Sequence, residues 1–361
     1  MAIEVAKVTP AEEAFAGTKP VEERHRLDEV KLDAWLRENV EGYRGPLTLW
    51  QFKGGQSNPT YKIETAAGSY VLRRKPFGKL LPSAHAVDRE FRVISALHKQ
   101  GFPVACPYAL CVDDSVIGSA FYIMSMVEGR VFWNATLPGT APAERRAVYE
   151  AEILTLAQLH QYDPEKIGLG DYGKPGNYFA RQIDRWSKQY RASETKVIAA
   201  MDRLIAWLST TVPPQDRVTV VHGDYRIDNM IFHPTEPRVA AVLDWELSTL
   251  GDPLADFTYL LMNWALQAEG RSGLHGLDLP ALGIPTMAET TALYCEHTGR
   301  AGIPALDWYF AYNLFRLSAI SQGIAKRIVE GTAANERARE AAERAAPLAE
   351  AAWKYAEKAG A

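Results

Sequence analysis

Between two short apolar runs, Val218–Val221 and Met230–Phe232, this 361-residue chain places His222-Gly223-Asp224-Tyr225-Arg226-Ile227-Asp228-Asn229. A third apolar run, Val239–Leu243, leads directly into Asp244-Trp245-Glu246. Short apolar runs bounded by turn residues are expected to be buried strands, so the polar stretch between them is a loop with fixed ends. That frame would bring an Asp, an Asn five residues later and a second Asp to one place. Taken singly, each residue is explained by turn chemistry: Asp and Asn side chains bond nearby backbone, and Gly223 permits a tight bend. The ordered combination asks for more than turn chemistry.

Asp224 is the candidate base, able to accept a hydroxyl proton and hold the oxygen in line. The Asn229 amide oxygen and the Asp244 carboxylate are hard oxygen donors suited to Mg²⁺. These are the parts needed to transfer a phosphoryl group to a hydroxyl. His222 is better read as a structural His that shapes the loop, since Asp224 already fills the base role. Asp252 and Asp256, in Gly251-Asp252-Pro253-Leu254-Ala255-Asp256, are open to metal ligation, but one of them is expected to fix the loop or cap the following helix.

The upstream half supplies a nucleotide-handling counterpart. Gly54, Gly55, Gln56, Ser57 and Asn58 lie between strand candidates, where glycines allow backbone N–H groups to approach phosphate. The run is not a Walker A loop, because it lacks the Gly-Lys-Ser/Thr ending. Arg73 continues the alternation of its strand so that it points inward with Val71, towards the phosphates. Glu90, on the next helix, is its expected partner, and a guanidinium can bridge phosphate and carboxylate. Arg74, Lys75 and Lys79 read as a solvated basic strand end. Met124-Ser125-Met126-Val127-Glu128-Gly129 fits a hinge offering backbone groups to adenine, although core packing also explains the methionines.

The order of elements predicts an α+β, bilobal architecture, with a small β-rich N-lobe and a larger, mainly helical C-lobe. An N-terminal arm spans 1–26, the N-lobe 27–127 and the C-lobe 128–361. Helical spacing covers Leu27–Val40, Ala86–Gln100, Arg145–Gln161, Tyr178–Leu208 and Tyr309–Glu330. Strands are expected at Leu47–Phe52, Thr60–Thr65, Ser69–Arg73 and Phe121–Val127. The Ala/Glu/Arg-rich run Asn335–Lys358 lacks a sustained heptad and reads as a solvated terminal helix.

A net charge of −4 argues against a general nucleic-acid or membrane-surface binder. Cys106, Cys111 and Cys295 form no disulfide framework or zinc pattern and read as small apolar residues. The first residues lack a basic segment followed by an apolar core, so no secretory signal is expected, and Phe257–Met262 is too short to span a bilayer. The expected setting is cytoplasmic.

The sequence resembles the aminoglycoside phosphotransferase/choline kinase superfamily, a branch of the protein-kinase-like fold. The anchors are Val221-His222-Gly223-Asp224 through Asn229, Leu243-Asp244-Trp245-Glu246, and Gly251-Asp252-Pro253 to Asp256. Within it, Gly54 to Thr60, Leu72-Arg73-Arg74-Lys75-Pro76 and Lys79 to His85 resemble kinase-like domains associated with acyl-CoA dehydrogenases. The resemblance implies ATP and Mg²⁺, with Asp224 as base, Asn229 and Asp244 on the metal, and the Ser125 and Val127 backbone at adenine. Arg73 replaces the usual phosphate-contacting Lys. Trp245 replaces the Phe that follows the metal Asp in protein kinases, which argues against an activation switch of their kind. The implied acceptor is a small-molecule hydroxyl, with a hydroxyacyl-CoA, such as a 4-hydroxyacyl-CoA, suggested by the subgroup. Arg226, Arg316, Lys326 and Arg327 are then candidates for contacting a CoA thioester. A functional link to an acyl-CoA dehydrogenase follows, although 361 residues leave no length for that domain. An aminoglycoside or other small-alcohol kinase and a nucleotide-binding pseudokinase are the alternatives.

Overall fold

The computed structural model describes residues 17–53, 58–76, 86–268, 272–331 and 336–361. Strand β1 (Thr18–Pro20) lies within the segment expected to be an arm and pairs with β2 (Thr48–Phe52). Between them, helix α1 (Glu29–Asn39) starts at Asp28, whose side chain accepts from the Lys31 N–H. β3 (Thr60–Thr65), β4 (Gly68–Arg74), α2 (Val87–Lys99), β5 (Pro107–Cys111), the short α3 (Asp114–Ile117) and β6 (Phe121–Ser125) complete the N-lobe. The strands form one antiparallel sheet in the order β1-β2-β3-β4-β6-β5.

Alternation along the strands divides the sheet into two faces. Tyr70 and Leu72 of β4, with Phe121 and Ile123 of β6, pack with Leu32 and Leu36 of α1. Tyr122 and Met124 face the other way, into the core that holds Val93, Ile94 and Leu97 of α2. Central β4 is therefore covered on both sides, and this corrects the expectation for Arg74. Its side chain is fully buried, with Nε 3.3 Å from the Tyr61 hydroxyl and Nη1 3.2 Å from Ser119 Oγ.

The C-lobe helices are α4 (Pro142–Leu159), α5 (Tyr178–Ala192), α6 (Ala199–Thr210), α7 (Leu254–Leu261), α8 (Leu279–Leu282), α9 (Met287–Thr298), α10 (Leu306–Val329), α11 (Glu336–Glu343) and α12 (Ala345–Lys358). Two small ribbons sit among them: β7 (Thr219–Val221) pairs with β10 (Thr249–Gly251), and β8 (Met230–Phe232) with β9 (Val239–Val242). A capping box between Thr286 and Glu289 starts α9, and Gly299 in the left-handed region ends it. Among the described residues no helix is long and apolar enough to cross a membrane.

The terminal run is not simply solvated. Ala345, Leu348, Ala349, Ala352 and Ala356 form a buried stripe, and α12 packs along α10 and α6. Phe310 meets Tyr355 edge-on at 5.3 Å, and the Ser318 hydroxyl donates to the Ala345 carbonyl at 2.7 Å. Small side chains let the helices approach closely, which a heptad search does not reward. Ala352→Leu would overpack this seam and is expected to lower unfolding free energy by about 1–3 kcal/mol in urea titrations. An unchanged midpoint would show the seam to be loose.

Candidate functional site

The site lies where the six-stranded sheet faces the β7–β10 and β8–β9 ribbons. β7 is buried along its whole length and delivers His222 to Asn229 as a loop ending in a 3₁₀ turn at Ile227–Asn229. The loop is pinned from behind. The Asp256 carboxylate, on α7, accepts the N–H groups of His222 at 2.6 Å and Gly223 at 2.8 Å. His160 Nε2 lies 3.5 Å from the same carboxylate, and its Nδ1 lies 2.8 Å from the Tyr294 hydroxyl. Burial raises the Asp256 pKa, but His160 and the Gly223 N–H outweigh it and hold the carboxyl below its ordinary range.

His222 uses both ring nitrogens: Nε2 donates to the Leu243 carbonyl at 2.7 Å, and Nδ1 accepts from the Asp224 N–H at 3.2 Å. It ties the loop to the approach of Asp244. Gly223 has φ +88°, and a Cβ there would lie 2.9 Å from the Leu247 carbonyl oxygen, so this turn requires glycine. Asp252 accepts from the Leu254 N–H at 2.9 Å, at the start of α7.

Asn229 Nδ2 donates to the Asp224 carbonyl at 2.9 Å and to Asp224 Oδ2 at 3.0 Å. The Tyr259 hydroxyl also reaches the Asp224 carboxylate. Asp244 has φ 64° and ψ 60°, a strained left-handed conformation for a non-glycine residue. Trp245 behind it is buried, donating Nε1 to the Val242 carbonyl at 3.0 Å and packing edge-on to His222 at 4.7 Å.

Arg73 joins the lobes. Its Nε donates to Glu90 Oε2 at 2.7 Å, its Nη2 to Asp244 Oδ1 at 2.6 Å, and Glu246 lies 3.6 Å away. Glu90 occupies the apolar stripe Val87, Glu90, Ile94, Leu97 of α2, a charge where the core should be. Asn58 Nδ2 at 2.7 Å and the Tyr122 hydroxyl at 3.2 Å complete its shell. Asn58 is thus buried against Glu90. Gly54, Gly55, Gln56 and Ser57 lie outside the described residues.

At the hinge the Ser125 N–H is taken by the Cys106 carbonyl at 2.8 Å. The backbone of Met126 to Gly129, including the Val127 N–H, makes no hydrogen bond to other described residues. A Cβ on Gly129 would strike the Phe232 carbonyl and Ile231, so β8 lies directly beneath the hinge. Sequence reasoning missed Ile231, whose only signal is its place in an apolar run.

On the opposite side, Arg226 Nη2 donates to Asp228 at 2.7 Å, with Nε 3.8 Å from Asp224. Arg316, buried on α10, donates to the Gly223 carbonyl at 2.6 Å and lies over the rings of Trp186 and Tyr259 at 5.7 and 5.2 Å. Burial, with the charge of Asp224 adding to it, pushes the Tyr259 pKa up to about 12. Lys326 pairs with Glu330 at 3.5 Å, roughly 15 Å further along α10, and Arg327 beside it is exposed. The four basic candidates therefore do not form one patch.

Among the described residues no cluster of three His, Cys, Asp or Glu side chains can hold a metal alone. The available donors are the Asn229 amide oxygen and the Asp244 carboxylate. Two protein oxygens completed by phosphate and water is the usual arrangement for Mg²⁺ at a nucleotide, so the donor set fits.

Beneath the loop, Glu152 of α4 is fully buried and neither carboxylate oxygen has a hydrogen-bond partner among the described residues. Burial, then the charge of Asp228, pushes its pKa from 4.5 to about 8. The native state therefore keeps a proton that the unfolded chain releases near pH 4.5, and stability should fall as pH rises from about 4.5 to 8. The loss is on the order of 4 kcal/mol. Glu152→Gln should flatten that slope in urea melts at a series of pH values. A wild-type slope retained in the variant would contradict it.

The model of the phosphotransferase enzyme family matches residues 48–289. A solved structure from Ralstonia eutropha, described as a candidate aminoglycoside phosphotransferase, is 52% identical with TM-score 0.86, covering 92% of this chain and 99% of that one. Macrolide 2′-phosphotransferase MphH from Brachybacterium faecium shares the fold at 20% identity and TM-score 0.56, covering 88% and 97%. Mouse acyl-CoA dehydrogenase family member 10 is 43% identical over 95% of this chain and 32% of its own length. Chicken acyl-CoA dehydrogenase family member 11 is 43% identical over 92% of this chain and 44% of its own length. The chain thus spans less than half of these two relatives. By the extent of the family match and its likeness to the Ralstonia structure, the chain belongs to the phosphotransferase enzyme family.

Proposed function

We propose that this chain transfers the γ-phosphoryl group of ATP to the hydroxyl of a small molecule, and that the acceptor is a hydroxyacyl-CoA, such as a 4-hydroxyacyl-CoA. The observation that carries the reaction type is the convergence of Asp224, Asn229, Asp244 and Arg73 on one cleft from both lobes. The acceptor hydroxyl would donate to Asp224 Oδ1, the oxygen that Asn229 leaves open. As the acceptor oxygen bonds to phosphorus and the bond to the ADP oxygen breaks, the proton passes to Asp224. Arg73 has Nη1 without a partner among the described residues, a donor for phosphate oxygens. Asn229 and Asp244 would hold Mg²⁺, which neutralises charge on the phosphates. The Val127 N–H and the Ser125 carbonyl are proposed to receive adenine above Ile231.

The acyl-CoA assignment is supported by the relatives named acyl-CoA dehydrogenase family members and carries with it a functional link to such a dehydrogenase. Arg226 and Arg316 beside the base also favour an oxygen-rich or anionic acceptor over a polycationic aminoglycoside. Lys326 and Arg327 are proposed only for the outer, CoA end of such a ligand.

Purified protein with ATP, Mg²⁺ and a panel of hydroxyacyl-CoAs and aminoglycosides, read by mass spectrometry, tests both levels. A phosphorylated acyl-CoA is the expected product, whereas phosphorylated kanamycin would move the acceptor to aminoglycosides. ATP binding without turnover on any acceptor would favour a nucleotide-binding module. Asp224→Asn should lower kcat by about 10²–10⁴-fold with little change in KM for ATP.

A further inference from the structure

Residues 160–177 join α4 to α5 without a helix or strand. Irregular connections of this length in compact domains are commonly functional. This strap crosses to the N-lobe and lies along α2 beside Glu90. Arg89 Nη2 donates to the Tyr172 carbonyl at 2.7 Å, and its guanidinium lies 4.2 Å from the centre of the Tyr172 ring. On the same helix face, Arg92 pairs with Asp171 and donates to the Gly168 carbonyl at 3.0 Å. A Cβ on Gly173 would lie 2.6 Å from the Leu250 nitrogen, so the strap also rests directly on β10.

The Tyr172 side chain is buried, and its hydroxyl lies 2.7 Å from Ser248 Oγ. Ser248 donates its own proton to the Trp245 carbonyl at 2.6 Å, so towards Tyr172 it must accept. The Tyr172 O–H therefore points chiefly at Ser248, with the Arg89 carbonyl of α2 a longer second acceptor at 3.3 Å, and Ser248 points at the residue that follows Asp244. One side chain is clasped by the helix carrying Glu90 and bonded to the turn carrying Asp244. Those are the two carboxylates that Arg73 bridges, yet Tyr172 makes no hydrogen bond to Arg73 itself.

We infer that Tyr172 is a positioning residue for phosphoryl transfer: its hydroxyl, through Ser248, holds the Glu90 helix in register with the Asp244 turn. The Arg73 bridge is then assembled by the fold itself, before nucleotide arrives and without a phosphorylated activation segment. The inference rests on the phosphotransferase reading and extends it to a residue outside the cleft. Tyr172→Phe keeps the ring under Arg89 and removes only the hydroxyl; Ser248→Ala removes its partner.

MgATP binding to wild type, the two single variants and the double variant, measured by calorimetry alongside thermal unfolding, tests it. Each single variant should bind MgATP about three- to tenfold more weakly, the worth of one buried hydrogen bond. The double variant should be no weaker than the poorer single, because both changes break one link. Wild-type affinity in Tyr172→Phe, even with a lowered melting temperature, would reduce Tyr172 to packing and overturn the inference. Additive losses in the double variant would overturn the Ser248 route. Failure of wild type to bind MgATP would instead overturn the phosphotransferase reading, and the inference with it.

Discussion

The relation between the two lobes depends on one buried guanidinium. Arg73 meets Glu90 from the N-lobe helix and Asp244 from the C-lobe turn at normal hydrogen-bond distances, with Glu246 just beyond. Buried ion pairs add little net stability, because desolvation offsets much of the Coulomb gain, but leaving one member unpaired is costly. The cluster therefore acts chiefly as a geometric constraint: helix, strand and turn must meet at one place for all the charges to be compensated. One cation among three carboxylates also leaves negative charge in excess. A triphosphate could enter such a cleft only with added positive charge, which is the physical reason for proposing a divalent cation beside Asp244.

A second constraint acts on the loop that carries the candidate base. Asp256 takes two of its backbone N–H groups, Arg316 its Gly223 carbonyl, and the His222 ring closes the turn onto Leu243. The main chain is held on every side while the Asp224 and Asn229 side chains remain oriented by each other. That arrangement suits a reaction in which most of the catalysis comes from positioning, because a displacement of about an ångström can cost two orders of magnitude in rate.

How much of this was legible in the sequence follows from which interactions are local. Asp224, Asn229 and Asp244 sit on one continuous strand–loop–strand stretch, so their proximity could be read from spacing alone. Glu90 was legible only through Arg73, as a carboxylate on the helix that follows its strand, and the two are paired at 2.7 Å. The burial of Arg74 was not legible, since it depends on β4 being covered on both faces, which requires the sheet order. Asn58 looked like part of a phosphate loop, but its side chain bonds a carboxylate 32 residues away. The alanines of α12 were visible, but without a heptad they read as solvated, and their burial depends on the close approach of α10 and α6. Tyr172 carried no signal at all, being one aromatic residue in an irregular connection.

The proposed reaction type and the proposed acceptor choice draw on different parts of the chain. The residues proposed for phosphoryl transfer come from strand ends and short loops pinned by backbone contacts. The wall facing Asp224 comes from helices: Trp186 on α5, Tyr259 on α7 and Arg316 on α10. Structures that share this fold at 12–20% identity include complexes with hygromycin B and with spectinomycin, so the same frame accommodates unlike acceptors. Arg316 complicates the separation, because it stands in the helical wall while bonding the carbonyl of the catalytic-loop glycine. A change in the wall that displaced Arg316 would reach the base through Gly223. The proposed acceptor wall is therefore mechanically coupled to the geometry of Asp224, and altering one without disturbing the other requires leaving Arg316 in place.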